Sequence, residues 1–183
     1  MPRAGLTTDA VVDIALAVVD DKGLEALSLA AVADRAGVAT PSLYKHVGSL
    51  ADLRDLMAVR VIRQIKDMSA GVVMGRSRDD AVAALMRSYR AYVLANPGRY
   101  ALMPMDPLRR PDMAGAGTEL LDVFIAVMRG YGLDDEQATH ALRRLRAAVH
   151  GFADIESRGG FGQPENIDTS YEGLITMFLK SMR

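Results

Sequence analysis

Residues 27–47 read LSLAAVADRAGVATPSLYKHV. Ser28 is placed to cap a helix, its hydroxyl accepting an otherwise unpaired backbone N–H, and Leu29, Val32, Ala33 and Ala36 follow at helical spacing on one face. Gly37 stands where that helix must end at positive φ, and Val38 after it can fill the corner with apolar surface. Thr40 then offers a second cap, with Pro41 at the first helical position, where its missing N–H costs nothing and its fixed φ is already helical. A second helix is expected over residues 41–46, burying Leu43 and Val47 one turn apart and leaving Ser42, Tyr44, Lys45 and His46 mostly outward. So short a helix is not stable alone and must be held by its neighbours.

Two helices joined by so tight a turn read as a helix-turn-helix. The outward face of the second carries a hydroxyl, a phenol, a cation and an imidazole, groups able to contact phosphates and base edges in a major groove. The expected DNA-contacting residues are Ser28, Thr40, Pro41, Ser42, Tyr44, Lys45 and His46. A helix serving only to pack has no need to expose a Tyr, a Lys and a His together.

At these positions the sequence resembles the TetR family of transcriptional regulators, whose signature runs through a Gly-Val turn to a short helix with Leu-Tyr and an aromatic or His two residues later. Here those are Gly37, Val38, Leu43, Tyr44 and His46, and the resemblance covers roughly the first 60 residues. It departs from the family at Leu50, where a phosphate-binding Lys near the start of the next helix is usual.

The chain has 183 residues, half of them hydrophobic, enough for one core or for a small head and a larger body. It has no Cys, so neither a disulfide framework nor a thiolate metal site is available. No apolar run approaches membrane-spanning length, and MPRAGLTTDA lacks the apolar centre of a signal peptide, so a cytoplasmic location and no membrane partner are expected. The net charge of −1 does not advertise a nucleic-acid binder, and residues 1–66 carry eight Lys or Arg against eight Asp or Glu. A local basic footprint from Arg3, Lys45 and backbone N–H groups can still form, which implies modest affinity per half-site and a role for dimerisation.

Along the chain, Thr7 or Thr8 is expected to cap a first helix burying Val11, Ile14, Ala15 and Val18 and stopping at Lys22 and Gly23. Ser49 with Asp52 begins a helix striped by Leu50, Leu53, Met57, Val61, Ile65 and Met68, which Gly71 and Gly75 interrupt. Ser77 with Asp80 opens the next, through Val82, Leu85, Met86, Tyr89 and Val93 to a stop at Asn96, Pro97 and Gly98. Residues 99–117, rich in Pro, Gly and Met, suggest a short helix and an irregular loop. Residues 120–128 read as a buried helix, and Asp134 caps a long one to about Ser157, striped by Ala138, Leu142, Leu145, Val149 and Phe152. Thr169 with Glu172 is expected to open the last helix, through Leu174, Ile175, Phe178 and Leu179. With no strand-like alternation the class is all-α, divided into a DNA-binding head over residues 1–48 and a helical body over residues 49–183.

From about Tyr89 onward the chain also resembles, more weakly, a TetR-like C-terminal domain named for a Trp-His-Gly motif. His150, Gly151 and Phe152 match it, with Glu156, Gly160 and Phe161 after them and Val149 in place of the Trp. That resemblance implies a ligand-binding body that dimerises through its last two helices. Periodicity alone leaves open whether Gly151, Phe152 and Phe178 face a partner or their own core. Met86, Tyr89, Met103, Phe124, Met128 and His150 are the expected ligand contacts, with Met105 nearby, provided the helices enclose a pocket; a Met is more often core filler.

No His, Asp or Glu set has metal-ligand or catalytic-triad spacing, and no Gly-rich phosphate loop follows a strand, so no cofactor, metal or enzymatic activity is expected. The leading function is a homodimeric repressor that binds a double-stranded DNA operator and leaves it on binding a small apolar or aromatic effector. The alternative is a helical small-molecule carrier or enzyme whose N-terminal helices do not read DNA.

Overall fold

In a computed structural model the described residues are 6–183, and all their regular structure is helical. The expected position of Arg3 in a basic footprint lies outside them. The helices are α1 (Thr8–Lys22), α2 (Leu29–Ala36), α3 (Leu50–Val73), α4 (Arg78–Ala95), α5 (Pro97–Tyr100), α6 (Pro111–Arg129), α7 (Asp135–Ser157) and α8 (Ile167–Lys180). Short 3₁₀ helices occupy Leu24–Ala26, Thr40–Lys45 and Pro107–Arg109. The described residues form two compact units: those up to 63 with 98–117, and residues 64–97 with 118–183. The chain of α3 contributes to both, as does that of α6.

In the first unit Thr7 caps α1 by accepting from the Ala10 N–H at 3.1 Å. α1 buries Val11, Ala15 and Val18, and also Val12, Leu16 and Val19, while Ile14 is half-buried. A face this wide packs against α2 as well as the 3₁₀ turn at Leu24–Ala26. Ser49 accepts from the Asp52 N–H at 3.0 Å at the start of α3, but the Asp52 carboxylate reaches back to the Gly48 N–H at 2.8 Å. The cap pair is therefore shifted by one residue from a standard capping box. α3 runs through Gly71 to Val73 instead of breaking there, because a single glycine costs a helix only about 1 kcal/mol; Gly75, at φ +72°, lies just beyond its end. Its 24 residues make a rod about 36 Å long.

In the second unit α4 packs on α7 and α8, which also touch each other. Their core includes Val82, Leu85, Met86, Met128, Leu142, Leu145, Val149, Tyr171, Ile175 and Phe178. Four expectations are corrected here or at the edge of this unit. Ser77 precedes α4 but its side chain makes no capping bond, and the chain enters the helix through Arg78 at φ +47°. α4 ends at Ala95 as expected, but a further helical turn begins at once at Pro97, whose fixed φ suits a helix start. α6 begins at Pro111, nine residues before the apolar run at 120–128, and carries Gly115 and Gly117 within it. α8 is capped by Asn166, which accepts from the Thr169 N–H at 3.0 Å, and not by Thr169; Glu172 is taken up by Arg87 at 2.6 and 2.7 Å. By contrast α7 opens on the full capping box of Asp134 and Gln137.

Candidate nucleic-acid interface

The head places its expected reading surface by burying one residue and freeing its neighbours. Ser28 caps α2, accepting from the Ala31 N–H at 3.1 Å, and Val32 and Ala33 bury the inner face of that helix. Gly37 then takes the left-handed conformation (φ +66°), and the Gly37 and Val38 N–H groups bond back to Asp34 and Ala33 at 3.1 and 3.0 Å. Only a residue without a Cβ turns there without strain.

The next element differs from expectation. It is a 3₁₀ helix over Thr40–Lys45 with Ala39 at the cap position and no side-chain capping bond, so Thr40 is its first residue and Pro41 its second. Six residues gain little from α-type bonding, and the tighter 3₁₀ ladder satisfies them at once. Leu43 is wholly buried and Val47 nearly so, pinning this segment inward. Tyr44 is 58 % exposed and Lys45 and Pro41 are also exposed, while Thr40, Ser42 and His46 are half-buried. Thr8 adds a tie the sequence reading missed: its hydroxyl donates to the His46 carbonyl at 3.3 Å, joining the start of α1 to the end of the reading segment. The paired threonines at 7 and 8 were the only signal, since one suffices for the cap.

The charge balance of the first unit also becomes intelligible. Asp9 and Asp13 grip Arg60 at 2.6 and 2.5 Å, Asp20 holds Arg99 through two bonds of 2.8 and 2.5 Å, Asp55 holds Arg110 at 2.5 Å, and Asp21 pairs with Arg35. These acids are matched to particular arginines, whereas Lys22, Lys45 and Arg54 form no ion pair among the described residues. A count of charges along the sequence treats all of them as equivalent and so conceals a free Lys45 beside Tyr44.

Leu50, at the position where the family usually has a Lys, is half-buried at the first turn of α3. It adds no cation to the interface.

Of the residues expected to contact a ligand, Met86 and Met128 have no exposed surface and lie in the core of the second unit, with Tyr89 and Phe124 packed against that core. His150 is half-buried on α7. Met103 falls in the first unit, and Met105 is 68 % exposed.

Beside this core Arg90 joins three helices, binding Glu156 of α7 through two bonds of 2.6 Å and Asp168 of α8 at 2.8 Å. Its guanidinium lies 4.8 Å from the ring centre of Tyr171 and 5.8 Å from that of Phe152. Hydrogen bonding to Glu156 raises the Arg90 pKa further, so the cation is permanent. The Tyr171 hydroxyl donates to the Met86 carbonyl at 2.6 Å, and burial pushes its pKa up. Gly160 allows its strand of loop to press on Ile155, where a Cβ would meet the Ile155 Cγ2 at 2.7 Å. Arg90 and Tyr171 escaped the sequence reading because nothing in a helical stripe distinguishes a buried ion-pair anchor from an outward arginine.

Among the described residues no group of three His, Asp or Glu side chains could hold a metal ion, and no helix is long and apolar enough to cross a membrane.

Comparison with known proteins agrees with this arrangement. Residues 11–55 match the family model for bacterial regulatory proteins of the tetR family, and residues 82–178 match that for the tetracyclin repressor-like C-terminal domain. An uncharacterized HTH-type transcriptional regulator of Mycobacterium tuberculosis, Rv0681, is 39 % identical over 168 residues, covering 91 % of this chain and 76 % of its own. The uncharacterized HTH-type transcriptional regulator YobS of Bacillus subtilis is 32 % identical over 183 residues, covering 99 % and 95 % of the two chains. The structure of a protein of unknown function from Rhodococcus sp. RHA1 superposes with a TM-score of 0.83 over 98 % of this chain and 97 % of that one, at 20 % identity, which speaks for the fold alone. With both parts matched in order, and the reading segment built as a helix-turn-helix requires, the chain belongs to the TetR family of transcriptional regulators.

Proposed function

We propose that this regulator is a homodimeric repressor whose two heads occupy a near-palindromic operator in the cytoplasm and leave it when a small apolar or aromatic effector enters the body. On this reading residues 1–48 carry the DNA contacts and residues 49–183 carry dimerisation and effector binding. The observation that carries it is the contrast within one short helix: Leu43 is wholly buried while Tyr44 is 58 % exposed beside a Lys45 with no ion-pair partner among the described residues. Exposing a tyrosine gains nothing for the fold, and next to a free cation it suits a base edge and a phosphate. Ser42, His46, Thr40, Pro41 and Ser28 complete the proposed surface, the hydroxyl of Ser28 sharing its capping role with any phosphate contact.

For dimerisation the supporting features lie on α7 and α8. Ile155 and Met177 are 44 % and 62 % exposed, and a Cβ added at Gly151 or Gly173 would meet nothing of its own chain within 4 Å. These are small and apolar surfaces left open by the single chain, of the kind a two-fold partner covers. The effector is proposed to lodge among Met86, Tyr89, Phe124 and Met128, with His150 or a Tyr hydroxyl orienting it.

The test is selection of bound sequences from random duplex DNA by the whole purified protein. The expected outcome is a near-palindromic site with half-sites about 34–36 Å apart or a multiple of that spacing. Enrichment of no sequence, or an enriched site bound equally by Tyr44→Ala and Lys45→Ala, would overturn the DNA reading.

A further inference from the structure

We infer that the cleft between the end of α7 and the start of α8, lined by none of the residues proposed for the effector, binds a small organic cation. The cleft has a volume of about 250 Å³ and is lined by Phe152, Phe161, Gln163, Glu165, Ile167 and Ser170. Its apolar wall is an aromatic pair: the rings of Phe152 and Phe161 are tilted at 47° with centres 4.7 Å apart, and Tyr171 continues the cluster 4.9 Å behind Phe152. Its polar side is formed by three exposed residues. The side chains of Gln163, Glu165 and Ser170 have no hydrogen-bond or ion-pair partner among the described residues.

Charge decides which ligand this suits. Arg90 is the cation nearest the aromatic cluster, and it is already bound by Glu156 at 2.6 Å and Asp168 at 2.8 Å. Two carboxylates on one guanidinium leave a surplus of negative charge, and Glu165 adds a further, unpaired carboxylate in the cleft wall itself. The start of α8 would by itself favour an anion, but the Asn166 side chain has taken the Thr169 N–H at 3.0 Å, and Glu165 repels an anion from the remaining space. An aromatic face attracts a cation through its quadrupole. Arg90 demonstrates this on the inner side of the cluster, 5.8 Å from the Phe152 centre and 4.8 Å from that of Tyr171. The matching ligand has one positive charge on a short apolar body, because the cleft is smaller than the roughly 300 Å³ at which drug-sized pockets begin.

The probes are choline, benzyltrimethylammonium and the neutral carbon isostere of choline, titrated into the whole protein and followed by proton NMR. The proposal expects saturable upfield shifts of the N-methyl protons, with cross-relaxation to the Phe152 and Phe161 rings, and weaker binding of the neutral isostere. Glu165→Gln should weaken binding of both cations about 2- to 5-fold, the range of an exposed cation–aromatic or ion-pair contact. Glu25→Gln, which removes an exposed acid in the other unit, should leave it unchanged. Phe161→Leu should abolish the cross-relaxation to that ring and weaken binding of both cations, and its melting temperature separates loss of the site from loss of the fold. The inference is overturned by absence of saturable shifts, by equal affinity for the neutral isostere, or by identical behaviour of Glu165→Gln and Glu25→Gln.

Discussion

Lys45 and Arg60 are both cations of the first unit, yet the structure gives them opposite fates, and salt dependence reads the difference. Arg60 is held by Asp9 and Asp13 at 2.6 and 2.5 Å, so it has little charge left to offer a phosphate. Lys45 is exposed without an ion pair among the described residues, so Lys45→Ala costs the fold little and removes the full contact from each head. Each phosphate contact contributes about 0.9 to the slope of log K against log salt, so two heads lose about 1.8. Over a fourfold rise in salt, from about 50 to 200 mM, that slope is worth about 12-fold in affinity. Operator binding by wild type should therefore weaken about 12-fold more across this range than binding by Lys45→Ala. Arg60→Ala should keep the wild-type slope while lowering the melting temperature, since it unties α3 from α1. Tyr44→Ala should weaken binding by a similar factor at every salt concentration. Fluorescence anisotropy with a selected operator measures all four proteins. A Lys45→Ala slope equal to wild type, or an Arg60→Ala slope reduced as much, would show that the ion-pair pattern does not identify the phosphate contact.

Three further outcomes follow from the body. Arg90 and Glu156 are only 14 % and 11 % exposed, so Arg90→Met strands a buried carboxylate and should cost about 3 kcal/mol, roughly 6–12 °C in Tm; combined with Glu156→Gln it should recover part of that loss, and equal or additive losses in urea unfolding would contradict the pairing. Gly151→Arg places a long cation where its own chain leaves open space, so sedimentation should show a folded monomer, and a persisting dimer would exclude α7 as the interface. Arg87 holds the Glu172 carboxyl below its ordinary 4.5, and the Tyr131 hydroxyl with Arg183 holds Asp79 below 3.8. Folded values lower than unfolded ones stabilise above the ordinary carboxylate range and lose that contribution as pH falls through the depressed values. Urea midpoints should hold steady from neutrality to about pH 5 and drop below it, with Glu172→Gln flattening the drop; an unchanged acid limb in that variant would refute the assignment.

The helix-turn-helix was legible because each of its parts has a local cause. Ser28 caps, Gly37 turns, Leu43 and Val47 bury, and each does so through residue type and spacing, which a sequence displays. Boundaries failed where two residues could do one job. Thr40 and Ala39 compete for the start of the reading helix, and the 3₁₀ ladder makes a side-chain cap unnecessary. Asn166 and Thr169 compete at α8, and the nearer loop residue wins because Arg87 claims Glu172 from the capping box. At α6 the Pro and Gly residues suggested irregular chain, but Pro111 is a favourable helix start and the glycines are carried by a long helix. Arg90 was invisible for a different reason. Its partners lie 66 and 78 positions away, at Glu156 and Asp168, and no local pattern announces a bond closed only by tertiary packing.

The enclosed core sets a condition on the proposed effector that the sequence could not. Met86 and Met128 have no exposed surface, and the Tyr171 hydroxyl ties the Met86 carbonyl at 2.6 Å, so a ligand placed among them must displace side chains that are already packed. Methionine is the residue best able to yield, having three rotatable bonds and a polarizable sulfur. The apparent affinity of such a ligand is its intrinsic affinity reduced by the fraction of protein with the core open. An apolar effector replaces the contacts it breaks, whereas a strongly polar one leaves buried groups unpaired and holds the core open at a loss. Opening alone does not release DNA. Only a core-open state that binds operator less well couples the two sites, typically by about 1–3 kcal/mol, or roughly 5- to 150-fold. α3 is one continuous helix with Leu53, Met57 and Ile65 buried along it, and its residues fall in both units. Reciprocity then binds the two measurements: whatever factor the effector takes from operator affinity, saturating operator must take from effector affinity, and binding that operator leaves unchanged is not the event that releases DNA.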